Sequence, residues 1–405
     1  MKLVLFDDNK WENFFPITLC RSTGDLRLGV LKLRQRLNAY FGQEIKEVVI
    51  HPLLKAVYKE RHPEWTINSL EMTDTIFINT RLKISDALVG AINNLQENTC
   101  LTHKNEILAA RFTPDVNSIS AEELPNLFKS LEKIKWDNDD TWKYLWELIS
   151  ANAEYISRDF QDIFYDKDNF FETDPGVTIL NPYNIWLGEG VSIAPGVILD
   201  ASEGPVIIDE NARIMPNAVL IGPVYVGKSS LIKVGAKIYE GTSIGPVCKI
   251  GGEVEATIFQ AFTNKQHDGF LRHSYLGEWI NLGADTNNSD LRNDYQEVAS
   301  YFYPKLQKIK TGCQFLGTII GDHSKTGINC TINTGTTIGV GCNLYGKDII
   351  RDFIPSFSWG EPSQLTEYRL DKFDETVEKV KARRHLKYSK AEKELYSNIR
   401  KIVLD

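Results

Sequence analysis

The sequence predicts three parts in succession: an α/β domain with a mainly parallel sheet over residues 1–165, a parallel β-helix over 166–355, and a helical tail over 356–405. Two observations carry this. From Ile208 an aliphatic residue recurs at every sixth position with a small residue four places later, whereas residues 1–165 show no such phase. A chain of 405 residues also exceeds what one hydrophobic core usually organises.

Within the first part, the apolar segments Leu3 to Phe6, Val48 to Ile50 and Thr75 to Ile78 alternate with helical patterns, the arrangement of a parallel sheet with crossover helices. Near its end Trp142, Leu145, Trp146, Ile149, Ala153 and Ile156 recur at helical spacing and predict a packing helix that leads into the next part.

The hexads run Ile208/Ala212, Ile214/Ala218, Leu220/Val224, Val226/Ser230, Ile232/Ala236, Ile238/Thr242, Ile244/Cys248 and Ile250/Val254. A period of six is neither helical nor simply amphipathic, and its persistence marks a solenoid whose units bury their faces on one another. Each hexad forms one flat side and one corner of a triangular prism, with Gly227, Gly235, Gly241 and Asn217 at corners. Similarity to hexapeptide-repeat proteins implies a left-handed coil. The residues Asp200 to Gly204 bulge outward between hexads.

The phase fails twice. Residues 256–276 and 287–310 read as loops thrown from the prism, the first holding Lys265, His267 and His273, the second carrying Tyr295, Tyr301, Phe302 and Tyr303. Open coil ends need cover; the first domain is expected on one and the tail on the other. In the tail Phe373, Val377 and Val380 have helical spacing, and Ser389 to Glu392 reads as a capping box before Leu395 and Ile399.

Composition bounds the partners. Hydrophobic content of 42% and charged content of 25% suit an ordinary globular chain. A net charge of −8 argues against nucleic acid but leaves room for a locally basic nucleotide pocket. The six cysteines form no CxxC pair, so neither a zinc ribbon nor a disulfide scaffold is expected, and a reducing cytoplasm is the simplest setting. The N-terminus meets Asp7 after four apolar residues, and no run reaches spanning length, so neither a signal segment nor a membrane partner is expected.

The run His273-Ser274-Tyr275-Leu276-Gly277-Glu278, followed by Asn281-Leu282-Gly283-Ala284-Asp285-Thr286-Asn287-Asn288, resembles the acetyltransferase half of the bifunctional N-acetylglucosamine-1-phosphate uridylyltransferase/glucosamine-1-phosphate N-acetyltransferase family. That resemblance implies Tyr275 and Asn281 on the amino sugar, Ala284 and Gly346 along acetyl-coenzyme A, and Asn287 or Asn288 in the role of a loop asparagine. Arg272 stands where the family places histidine. His273 is the expected general base, because an amine loses a proton as it attacks a thioester. Lys265 is a candidate for the sugar phosphate, or else a solvated loop lysine.

The stretch Phe15 to Ser22 resembles the Pro-Leu-Thr-x-x-x-Pro-Lys segment of sugar nucleotidyltransferases, which implies Arg21, Arg27 and Lys32 on the nucleoside triphosphate and sugar phosphate. Arg27, Arg34 and Arg36 equally fit a basic helix face. Leu5 to Asn9 replaces the glycine-rich turn, and Asn79-Thr80-Arg81 stands where the family's metal aspartate would follow Ile76 to Ile78, so magnesium would fall to Asp7, Asp8 and Asp25. The resemblance also implies a homotrimer with acyl-transfer sites shared between prisms, making a nucleotide sugar for the cell envelope. Two alternatives remain open: a regulatory or scaffold protein with a degenerate first domain, and a γ-carbonic-anhydrase-like enzyme with zinc on His267 and His273. His323, in a hexad corner, is expected at the surface.

Overall fold

The computed structural model describes residues 2–170 and 173–404. Seven strands build the first sheet: β1 (Lys2–Phe6), β2 (Glu47–Val49), β3 (Thr66–Ile67), β4 (Thr75–Asn79), β5 (Thr99–His103), β6 (Glu106–Phe112) and β7 (Glu132–Lys135). Their spatial order is β3-β2-β1-β4-β6-β5-β7, and β6 alone runs against the rest. The sheet is therefore mainly parallel, as the near-continuous apolar runs of β1 and β4 require when both faces are covered. The order of strand addition reverses at β1, with β2 and β3 to one side and β4 to the other, so Asp7, Asp8, Thr80 and Arg81 stand at the carboxyl-end switch point.

The packing helix spans Leu145–Asp159 and buries Leu145, Trp146, Ile149, Asn152 and Ile156 on one face. The prism follows. Its three flat sides are parallel sheets running from Thr178–Leu180, Ile185–Leu187 and Ser192–Ile193, the second continuing for nine strands to Phe353–Ile354. The predicted hexad residues Ile208, Ile214, Leu220, Val226, Ile232, Ile238, Ile244 and Ile250 stack inside it, fully buried. Each contributes roughly 1.5–3 kcal/mol of burial. At the corners Gly235 and Gly241 hold φ of 66° and 70°, which branched residues resist.

Residues 256–276 depart from expectation. They form a complete coil, with Ser243 paired to Ile258, Lys249 to Asn264 and Glu253 to Phe270. The aliphatic phase fails because Lys265 takes the inward position that Ile250 holds one coil earlier. The second break is a true arm: a hairpin of Ala299–Phe302 against Gln307–Lys310 leaves the prism and returns at Leu316. Instead of reaching outward, it folds onto the first domain and the late coils, Tyr303 meeting Phe15 and Tyr301 stacking on Phe353 at 4.0 Å.

The first domain also sits elsewhere than expected. It lies along the nine-stranded side, where the outward residues Trp186, Ile207 and Tyr225 pack on Val30, Ile156, Phe160 and Phe164. Ile258, Tyr275 and Ile319 continue that stripe against Phe14, Ile17, Leu28 and Trp142. Two tail helices, Leu370–Ala382 and Lys390–Leu404, fill the angle between domain and prism instead of closing a coil end. The capping box is formed: Glu392 N–H donates to Ser389 Oγ and Ser389 N–H to Glu392 Oε2. No described helix is long and apolar enough to cross a membrane.

Candidate active site

His273 occupies the corner between strands Phe270–Arg272 and Tyr275–Glu278, with φ of 44°. Its backbone is pinned on both sides, N–H donating to the Glu255 carbonyl and the carbonyl accepting from Gly317 N–H. Nδ1 lies 2.8 Å from Asp290 Oδ2, and the ring stacks on Phe315 at 5.3 Å. Asp290 and Phe315 are the two feet of the arm, so the arm's insertion point supplies both side-chain neighbours of this ring. Burial alone would raise the Asp290 carboxyl, but the hydrogen bond and charge of His273, with Arg272 nearby, bring it below the usual range. An ionised Asp290 accepts a hydrogen bond from Nδ1–H, the tautomer that leaves Nε2 as the acceptor. Among the described residues no protein group is bonded to Nε2.

Arg272 is ion-paired with Glu255, and its Nε stands 3.9 Å from Asp290. Asn287 and Asn288 do not project as ligands: Oδ1 of each accepts a backbone N–H, from Phe270 and Arg272 respectively, and holds the corner together.

Of three other predicted substrate contacts, Lys265 and Tyr275 are engaged structurally and Asn281 is not. Lys265 is inside the prism, its Nζ donating to the carbonyls of Gly251, His267 and Gly269 at 2.9, 3.1 and 2.6 Å. It cannot meet a sugar phosphate there, and burial lowers it to about 8. The Tyr275 hydroxyl is fully buried under the first domain; it donates to the Arg27 carbonyl and accepts from Arg27 N–H and Gln260 Nε2. Asn281 is exposed on the third side of the prism, between Asn264 and Lys325.

Ala284 and Gly346 share a different edge, the one after the third side, where Ala284 accepts from Asn329 N–H and Gly327 abuts Tyr345. Ile328 and Tyr345 project from that edge with 68% and 46% of their surface exposed. Gly346, at φ of 108°, lets Glu361 pass within 2.2 Å of where a Cβ would stand. His323 is not at the surface but buried between Trp279, Phe373 and Tyr396, which push its imidazole well down by desolvation.

In the first domain, Arg21 forms a bidentate pair with Asp322 at 3.0 and 2.5 Å and lies 3.7 Å from Glu278, tying domain to prism. Arg27 donates to the Val30 carbonyl and lies over the Tyr225 ring. Lys32 bonds Asp25 at 2.9 Å. None of the three reaches the cavity of ≈520 Å3 at the carboxyl ends of β1 and β5, which Asp8, Lys10, His103, Lys104, Glu106 and Lys143 line. That is the position where open α/β sheets bind ligands. Sequence reading missed Lys10 and Lys104, although each lies in a turn directly after a strand end.

The magnesium carboxylates do not fit their role. Asp8 is ion-paired with Arg81, and Asp25 holds Lys32, Arg34 and the Tyr58 hydroxyl. Asp7 is buried, its Oδ1 accepting from Ser22, Thr23 and Thr80, while Oδ2 has no partner; burial raises it to about 6. Among the described residues of one chain no cluster of three His, Cys, Asp or Glu side chains converges on a metal position.

Residues 3–167 match the family model of a sugar nucleotidyl transferase. The chain is 33% identical over 179 residues to the uncharacterized acetyltransferase YaiX of Escherichia coli strain 536, covering 44% of this chain and 77% of that protein. It is 26% identical over 287 residues to the bifunctional protein GlmU of Synechococcus elongatus, spanning 61% of this chain but only 59% of GlmU. A bifunctional sugar-1-phosphate nucleotidylyltransferase/acetyltransferase of Sulfurisphaera tokodaii is 35% identical over 153 residues, or 37% of this chain and 38% of that one.

Proposed function

This chain belongs to the acetyltransferase family of YaiX, as a divergent member of the bifunctional sugar nucleotidyltransferase/acetyltransferases, and from that membership we propose that its prism transfers an acetyl group from acetyl-coenzyme A to an amino-sugar phosphate at His273. The observation that carries this is the His273–Asp290 pair with Nε2 open. As the sugar amine attacks the thioester carbonyl, the N–C bond forms, the C–S bond breaks and coenzyme A leaves as thiolate. Nε2 takes the amine proton while Asp290 stabilises the imidazolium.

Ala284 and Gly346, which the resemblance assigns to the coenzyme, stand on a different prism edge from His273, so in this reading base and thioester come together between two copies of the chain. This geometry supports a homotrimer with shared sites, built through the two sides that the first domain leaves open. Nucleotidyl transfer to a sugar-1-phosphate belongs in the ≈520 Å3 cavity, where Lys10 after β1 and Lys104 in the turn between β5 and β6 supply positive charge. A second reading, a first domain that binds without transferring, is favoured by the switch point, where Asp8 is taken up by Arg81 and Asp7 is buried, so neither carboxylate is free to hold magnesium for a triphosphate. Titration calorimetry with nucleoside triphosphate and magnesium, followed by pyrophosphate release, separates the two.

For the acetyl step, thiol-reagent detection of coenzyme A with glucosamine-1-phosphate tests the proposal. His273→Ala is expected to lose on the order of 10²–10⁴ in rate. Turnover unchanged in that variant removes His273 as the base.

A further inference from the structure

Four cations converge on a cleft that no step above uses. Outward positions of the third prism side form a ladder, Lys249–Asn264–Asn281–Lys325, through successive coils. Three strand spacings separate its ends, about 14 Å. The C-terminal end of helix Leu370–Ala382 delivers Arg383 and Arg384 over this ladder, enclosing ≈290 Å3 with Trp279 at the rim.

Among the described residues none of the four cations has a carboxylate partner. Arg384 donates to Asn264 Oδ1 at 3.0 Å and Lys325 to the His323 carbonyl at 2.9 Å. Burial lowers Lys249, and its nearest charges, Arg384, Arg383 and Lys233, all repel it. Burial likewise brings Lys325 to about 8. A chain of net charge −8 has carboxylates to spare, yet it gathers these cations without one. Such an arrangement is costly when empty and is relieved by an anion with more than one charge. Two stacked rings, Phe262 and Trp279, with centroids 4.3 Å apart and planes 2° from parallel, line the same cleft.

We propose that this cleft binds a pyrophosphate-bearing ligand, its phosphates on Lys249, Lys325, Arg383 and Arg384 and its hydroxyls on the amides of Asn264 and Asn281. Because two cations come from the tail and two from the prism, the bound ligand clamps the tail helix down. The inference is independent of acetyl transfer at His273.

Calorimetry on the full chain with inorganic pyrophosphate, uridine diphosphate and coenzyme A tests it, the tightest of the three naming the source. Arg383→Ala/Arg384→Ala is expected to weaken binding at least about tenfold, and added salt to weaken it further. Neither arginine is ion-paired and only Arg384 gives up a side-chain hydrogen bond, to Asn264, so the doubly substituted chain should unfold close to the parent without ligand. Lys237→Ala, which removes a cation on a different prism side, should leave affinity unchanged. Absence of binding for all three probes overturns the proposal, as does binding that Arg383→Ala/Arg384→Ala leaves unchanged, since the probe would then sit in the first-domain cavity or beside Ala284. So does equal weakening by Lys237→Ala, which would mark diffuse charge attraction.

Discussion

Replacing Lys265 by Met separates a structural lysine from a substrate-binding one. The side chain lies at the inward position between Ile250 and Leu282, 2% exposed, and burial lowers it from 10.5 to about 8. At roughly 1.4 kcal/mol per pH unit, holding the ammonium there at neutral pH costs about 3 kcal/mol relative to the unfolded chain. Between about 8 and 10.5 the unfolded state keeps its proton while the folded state has released it. Stability of the parent must therefore rise with pH across that window relative to Lys265→Met, by up to about 3 kcal/mol. Below about 8 both states are protonated and the difference is flat. Urea unfolding of the two proteins side by side from neutral to about pH 10.5 measures this, other titrating groups cancelling in the comparison. Parallel stability curves, with a raised KM for glucosamine-1-phosphate in the variant, would refute the reasoning and restore Lys265 to the substrate.

Four further outcomes follow from the same geometry. Asp7 is raised from 3.8 to about 6, so its stabilising effect is complete below 3.8 and gone above about 6; Asp7→Asn should gain about 2–3 kcal/mol at pH 7 and nothing near pH 3.5, read by thermal unfolding at both. Arg21→Ala strands the buried Asp322 and should cost about 3–5 kcal/mol with nucleotide affinity unchanged; the reverse pattern would return Arg21 to the phosphates. Tyr275→Phe leaves Arg27 N–H, its carbonyl and Gln260 without their shared partner and should cost about 1–3 kcal/mol in unfolding free energy, with acetyl transfer retained. Asp290→Asn should lower kcat for acetyl transfer at constant KM, since it disturbs the orientation of His273 and not the binding of substrate.

The interior of the prism was legible because each hexad repeats one demand, an aliphatic residue where three sides enclose it. Lys265 hid a whole coil, since a polar residue at the inward position looks like a loop to any test of aliphatic phase. The lateral seat of the first domain did leave a signal. Trp186, Ile207 and Tyr225 each stand one residue before an inward aliphatic, on a face that should be polar if it met water. Reading inward positions alone passes over them. Tyr275 belongs to the same stripe, which is why a motif that suggested a sugar contact proves to be a packing residue. Of the candidate site, His273 was found through the neighbouring motif, while its partner Asp290 depends on where an arm of unpredictable path leaves the prism. Arg21 could not have been assigned from sequence, because its partner Asp322 lies 301 positions away.

That apolar stripe makes the prism unfit to live alone. Cut free at the end of the packing helix, it would present Trp186, Ile207, Tyr225, Ile258 and Ile319 to solvent as one oily band, and the fragment should clump instead of folding cleanly. Evolution could not shuffle this prism onto another partner as a ready-made cassette; whatever replaced the first domain would have to inherit its shape along the entire flank.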